Sequence, residues 1–141
     1  MVYLDTSVAV ALLVPEVRSA EARRWFLDLA SPLVASDWLA TEFASALAMK
    51  TRLGELKTSQ AARVRELFEE FTGGLRLAPV GRQTFREAAR LLSRQGLDLR
   101  AGDALHLASA LEIGAVAMAT FDARLGLAAR ALGLEPAPRL T

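Results

Sequence analysis

The alternation of short β-prone runs with helix-patterned segments constrains this chain more than any other feature. "MVYLD", "PLVAS", "LRLAPV" and "AVAMATF" are rich in Val, Leu and Ala, and each carries at most one charge. Helical stretches separate them. Strands that alternate with helices and lack a polar face belong in a mostly parallel sheet covered on both sides. The expected architecture is therefore α/β, a three-layer α/β/α sandwich around four to five strands. No Pro-, Gly- or Ser-rich linker and no internal repeat divides the chain, so residues 1–141 read as one domain.

Local signals sharpen the order of elements. Ser7 is placed to cap a short helix through Leu13, and Pro15 suits the first turn of the next helix, "PEVRSAEARRWFLDLA". Ser36 or Asp37 is placed to cap "DWLATEFASALAMKTRL", which Gly54 ends. A helix follows from Thr58 to about Phe71, broken by Gly73-Gly74. Thr84 and Glu87 have capping-box spacing at the head of a helix that stops near Gly96. "AGDALHLASALEIG" is apolar almost all round, as a helix buried on most sides would be. A last helix ends around Gly133, and "LEPAP" is a candidate edge strand.

Ligand crevices in open parallel sheets lie at the carboxyl ends of the strands. Asp5 follows the first strand directly, and Asp122 in "ATFD" lies just past the last core strand. Two further acids sit inside helices. At 100° per residue, Trp38, Leu39, Ala46 and Met49 share the face of Glu42, while Leu99, His106, Leu107 and Ala110 share that of Asp103. A solvated carboxylate belongs opposite the apolar stripe, and these lie on it. Each acid has a structural alternative: Asp5 as a helix cap, Asp103 paired with Arg100. Four together have no evident set of buried cations to neutralise them. A hard divalent cation, Mg²⁺ or Mn²⁺, would do so through carboxylate and water oxygens.

Thr6, Ser7 and Thr120 lie beside the acids, placed either to hold a carboxylate or ligated water or to act as turn residues. His106, the only histidine, reads mainly as a packing or supporting residue on an apolar helix, with direct ligation the lesser alternative. Trp25, Trp38 and the phenylalanines suit packing better than base stacking. Arg82, Arg86, Arg90 and Arg94 recur every four residues along one helix side, with Phe85, Ala88, Ala89 and Leu92 facing elsewhere. Such a stripe is relieved by a phosphate backbone or an acidic partner. It lies in a segment, residues 51–100, with ten basic and six acidic side chains, although the whole chain is only +1.

Several chemistries are excluded. Without cysteine there is no disulfide, thiolate site or cysteine nucleophile. "DTSVA" lacks the D-x-D-x-T pattern of haloacid-dehalogenase-type phosphotransferases, no late strand-end lysine fits a phospho-acceptor receiver domain, and no Gly-rich phosphate loop occurs. No signal-peptide pattern opens the chain, and no uncharged run approaches the roughly 20 residues of a membrane span. A cytoplasmic location with no membrane association is the expectation. A metal-independent RNA-binding or protein-interaction module remains a rival, one in which loss of single acids would stabilise the protein or leave it indifferent.

The same residues resemble the PIN-domain family, and most closely its VapC-type toxins. "VYLDTSV" is similar to the family's first motif, "ATEFASAL" to the second, "AGDALHLASAL" to the third and "MATFDARLGLAARALGL" to the fourth. The resemblance spans essentially the whole chain. It implies a PIN α/β/α fold and Mg²⁺- or Mn²⁺-dependent endoribonuclease activity on structured RNA such as tRNA or rRNA. Asp5, Glu42, Asp103 and Asp122 would form the acidic site, the first three anchoring the main ion and Asp122 completing it or supporting a second. An activated water would attack the scissile phosphate in line, leaving a 3′-hydroxyl and a 5′-phosphate. The resemblance further implies a homodimer inhibited by a cognate antitoxin, docked over "VPEVRSAEARRWFLDL" and the Glu42 helix. A PIN nuclease of RNA processing outside a toxin pair would look similar.

Overall fold

The computed structural model describes residues 1–138. Its elements, in chain order, are β1 (Val2–Leu4), α1 (Thr6–Leu13), α2 (Ser19–Asp28), β2 (Leu33–Ser36), α3 (Trp38–Arg52), α4 (Thr58–Gly73), β3 (Arg76–Ala78), α5 (Arg82–Ser93), α6 (Ala101–Ile113), β4 (Ala117–Ala119), α7 (Ala123–Ala131) and β5 (Glu135–Ala137). The five strands pair in the order β3-β2-β1-β4-β5, every pair parallel. Helices cover both faces, as the uncharged strands require.

β1 supplies both cores by alternation. Val2 and Leu4 point toward α1–α4, where they meet Val8, Leu39, Phe43 and Phe68; Tyr3 points the other way, toward Leu107, Met118 and Leu125. Tyr3, Leu4, Leu39, Leu107, Met118 and Leu125 are all fully buried. Each contributes roughly 1.5–3 kcal/mol relative to exposure. α6 is buried from Ala104 through Ala110, in keeping with its apolar sequence. Among the described residues, no helix is long and apolar enough to cross a membrane.

The strand and helix sequence follows the expected order, including an edge strand at "LEPAP", but several caps differ. Pro15 is exposed in the α1–α2 connection, and α2 begins only at Ser19. Asp5, not Ser7, is the N-cap of α1. Neither Ser36 nor Asp37 caps α3 through its side chain; the Ser36 hydroxyl turns inward to Tyr3, 2.8 Å away. Thr84 lies within the first turn of α5 rather than ahead of it: its hydroxyl accepts from the Gly81 amide and donates to Glu112 on α6 at 2.7 Å. In each case a tertiary partner or an earlier turn prevailed over the local cap. Gly54, just past the α3 C-cap, has φ +74°, the left-handed conformation that ends a helix without a Cβ clash.

Candidate active site

The topology sets where chemistry collects. From β1 the chain moves through β2 to the β3 edge, then returns on the opposite side of β1 as β4. A crevice opens where the winding direction switches, outside the carboxyl ends of β1 and β4. Asp5 is the first residue beyond β1, and its amide still bonds the Ala119 carbonyl at 2.9 Å. Thr120 and Asp122 follow β4 immediately.

Asp5 is buried, caps α1 and also faces the cluster. Its Oδ2 accepts from the Ser7 hydroxyl at 2.6 Å, the Thr120 hydroxyl at 2.7 Å and the Ser7 amide at 3.4 Å, the last being the N-cap bond of α1. Its Oδ1 lies 3.4 Å from His106 Nε2. One oxygen is thus fully committed while the other faces the cluster.

Glu42 approaches from α3, half-buried. Its Oε1 accepts from the Thr6 hydroxyl at 2.7 Å and is hydrogen-bonded by His106 Nε2. Burial opposes its ionisation, but the hydrogen bond and charge of His106, with the Thr6 bond, outweigh it and hold the carboxyl below its ordinary range. Glu42 Oε2 lies against Gly102, where an added β-carbon would stand 2.6 Å away. Trp38 Nε1 borders the same spot and is buried.

His106 is wholly buried on α6 and organises the cluster. Its Nδ1 is 2.9 Å from the Tyr3 hydroxyl, which is bonded in turn to Ser36. Nε2 faces only oxygens: Glu42, Asp5, and Thr6 at 3.2 Å. Thr6 donates its hydrogen to Glu42, so Nε2 is the donor. Burial drives the Tyr3 hydroxyl well above its ordinary pKa, so it stays protonated.

Asp103 and Asp122 lie near the cluster but outside the group formed by Asp5, Glu42 and His106. The Arg100 backbone amide, not its guanidinium, meets Asp103 Oδ2, at 3.3 Å. Burial raises the Asp103 carboxyl above its ordinary range; the Arg100 amide pulls it back, and the charges of Asp122, Asp5 and Glu42 add to the rise. Asp122 caps α7 by accepting from the Leu125 amide at 3.0 Å. Among the described residues, no Lys or Arg side chain lies within 4.0 Å of any of the four acids. Ligand atoms of Asp5, Glu42 and His106 fall within 4.8 Å of one another. A partly buried, oxygen-rich cluster with no Lys or Arg beside it fits a hard divalent ion, and the close approach at Gly102 keeps room for the second Glu42 oxygen.

The arginine stripe stands apart from this cluster. Arg82, Arg86, Arg90 and Arg94 are all exposed, and Arg90 pairs with Glu87 at 3.0 Å. Phe85 and Leu92, 54 % and 42 % exposed, do not turn into the core. Three residues of the site were not singled out from sequence: Tyr3, Ser36 and Gly102. The chain did hold a signal for the first, because period two places Tyr3 on the same side of β1 as Asp5. Ser36 and Gly102 became visible only through contacts across 33 and 60 residues of chain.

Known proteins share this fold. The chain matches the PIN domain family over residues 2–131. Ribonuclease VapC45 of Mycobacterium tuberculosis (strain CDC 1551 / Oshkosh) is 32 % identical over 140 residues, covering 98 % of this chain and 95 % of its own. The solved structure of VapC20 from Mycobacterium tuberculosis, a Sarcin-Ricin loop cleaving toxin, superposes with a TM-score of 0.73 at 18 % identity over 91 % of this chain and 95 % of that one. FitAcB from Neisseria gonorrhoeae gives 0.75 at 20 % identity over 96 % of each chain. The fold agrees with the distant structures and the sequence with the nearer relative, from its first strand to its last helix: the chain belongs to the PIN domain family and is homologous to VapC proteins.

Proposed function

We propose that residues 1–141 form a single-domain, Mg²⁺- or Mn²⁺-dependent endoribonuclease that hydrolyses phosphodiester bonds in structured RNA, tRNA or rRNA, as the toxin of a toxin–antitoxin pair in the cytoplasm. The observation that carries this reading is the cluster of Asp5, Glu42 and His106, whose ligand atoms lie within 4.8 Å of one another, with Asp103 and Asp122 outside that group but near enough for their charges to act on one another.

Asp5, Glu42 and Asp103 would hold the ion, with Asp122 completing the site. Bound there, the metal would lower the pKa of a water and neutralise charge on the phosphoryl oxygens. Ser7 and Thr120 fix Asp5 through Oδ2; Thr6 and His106 fix Glu42 through Oε1, leaving Asp5 Oδ1 and Glu42 Oε2 outside these bonds. Trp38 Nε1 lies beside Glu42 Oε2 and helps to hold that carboxyl low. The stripe Arg82, Arg86, Arg90 and Arg94 would serve as an outer phosphate contact.

A cognate antitoxin and a second copy of the chain are the proposed protein partners. Support for the first comes from exposed Val17 and Leu27, and from an apolar groove of about 200 Å³ between α3 and α4 lined by Ala40, Ala44, Leu47 and Phe68.

The test is cleavage of a structured-RNA pool with Mn²⁺ or Mg²⁺, against EDTA and a folded Asp5→Asn variant. Metal-dependent cuts at a few discrete sites, absent in the variant, are expected. Cleavage indifferent to EDTA and to the substitution would overturn the proposed site. Rescue of cell growth by a gene adjacent to the toxin's own would separate a toxin pair from RNA processing.

A further inference from the structure

Beside the acidic cluster, past Thr120 and Asp122, lies an open cavity of about 740 Å³, within the size range of small-molecule sites. Thr120 and Asp122 form its shared wall with the cluster. Arg18, Phe121, Arg130 and Pro136 line the rest, and Glu135 adds a second carboxylate to the lining.

Arg18 is held there with unusual firmness. Its guanidinium stacks 3.7 Å from the Phe121 ring centroid, while Nε and Nη2 donate to Glu21, each at 2.9 Å. The Phe121 amide donates to Ser7 Oγ at 2.8 Å, and that hydroxyl donates to Asp5. Two hydrogen bonds and one stack therefore link Arg18 to the first acid. Of the five guanidinium N–H groups, three remain unused by Glu21. Arg130, one helix length from Asp122 along α7, is exposed and has no carboxylate within 4.0 Å among the described residues.

A phosphodiester approaching four clustered carboxylates is repelled until cations offset them. A planar, always-charged, pre-oriented guanidinium suits phosphate better than a flexible ammonium. Arg82 and Arg86 of the α5 stripe are badly placed for this task near the cut, because Thr84 ties the head of α5 to Glu112, nine residues or roughly 13 Å along α6 from Asp103.

We propose that this cavity is a nucleotide subsite: an RNA residue next to the scissile bond lies in it, its phosphate on Arg18 and Arg130, its sugar or base against Phe121 and Pro136. The inference rests on the ribonuclease reading and names where the strand leaves the cluster. Glu135 repels an anion from its own part of the lining and offers an acceptor to a base amine.

The experiment measures binding of a fluorescent 12-nucleotide single-stranded RNA in EDTA, across a salt series, for wild type, Arg18→Met, Arg130→Gln and Arg130→Lys, with Arg82→Gln/Arg86→Gln for comparison. Methionine keeps apolar contact with Phe121 but no charge. Removing either phosphate-binding arginine should weaken binding about tenfold at low salt and flatten the log–log salt dependence by about 0.7. Arg130→Lys should keep the slope. A merely structural Arg18 would change melting temperature and leave the slope alone. Mn²⁺ titration of every variant should match wild type, showing the cluster undisturbed. Unchanged slopes in both Arg18→Met and Arg130→Gln, with wild-type protein that binds RNA and cleaves it with metal, would overturn the subsite alone. Wild-type protein that binds neither RNA nor Mn²⁺ would overturn the ribonuclease reading and the subsite with it.

Discussion

Gly102 and Glu42 lie in closer contact than any other residue type at position 102 would permit: a β-carbon there would stand 2.6 Å from Glu42 Oε2. The glutamate cannot simply swing aside, since Thr6 and His106 hold its other oxygen. Gly102→Ala should therefore displace the carboxylate and lower Mn²⁺ affinity about tenfold. Alanine in the first turn of a helix is otherwise favoured over glycine by roughly 0.5–1 kcal/mol. The expected signature is a split: weaker metal binding by calorimetry with an unchanged or higher melting temperature. A lower melting temperature with intact affinity would show that the contact is only steric.

His106 is the chain's single histidine, so one pair of side-chain ¹⁵N resonances reports on it without ambiguity. Because Nε2 faces Glu42, Asp5 and a Thr6 oxygen whose proton is already donated, the Nε2–H signal should persist when Mg²⁺ is added. Loss of that signal on titration would make His106 a ligand instead of a residue that holds Glu42 in place. Tyr3→Phe removes the partner of Nδ1 and frees the imidazole to reorient; metal affinity should fall although Tyr3 touches no acid.

The pH dependence of the metal-free protein should carry opposing contributions from two acids. Asp103, raised by burial and by its acidic neighbours, binds its proton more tightly folded than unfolded, so its contribution to stability grows as pH falls through the folded value and is complete below the unfolded one. Glu42, lowered on balance, adds stability above its unfolded range that is lost on further acidification. Asp103→Asn should flatten the first trend and leave the second, read from urea midpoints between neutral pH and about pH 3. Bound Mg²⁺ should abolish the Asp103 effect, because the cation favours the ionised form. A midpoint profile identical in wild type and variant would refute the assignment.

Thr120→Val removes one of the donors to Asp5 Oδ2 and keeps the volume. A hydrogen bond to a charged group contributes roughly 1.5–3 kcal/mol. Stability should drop by the lower part of that range, as the Ser7 hydroxyl remains, and metal-dependent cleavage should fall more than RNA binding. Equal losses in both would place Thr120 on the substrate rather than behind Asp5.

The order of strands and helices, the parallel sheet and the acids at strand ends were all legible in the sequence. Burial leaves a period in the residues: uncharged runs for strands covered on both faces, 3.6-residue spacing for helices, and acids such as Glu42 that stand out against it. Side-chain meetings leave no such trace. That Ser36 serves Tyr3 instead of capping α3, that Thr84 reaches Glu112, and that Arg18 stacks on Phe121 depend on which strands become neighbours. Only the return of β4 to the side of β1 brings Asp5, Thr120 and His106 together across more than 100 residues of chain. Local patterning decides which face a residue presents. What that face meets is decided by long-range packing, where a few tenths of an ångström at Gly102 or one hydroxyl at Tyr3 determine how the acids are held.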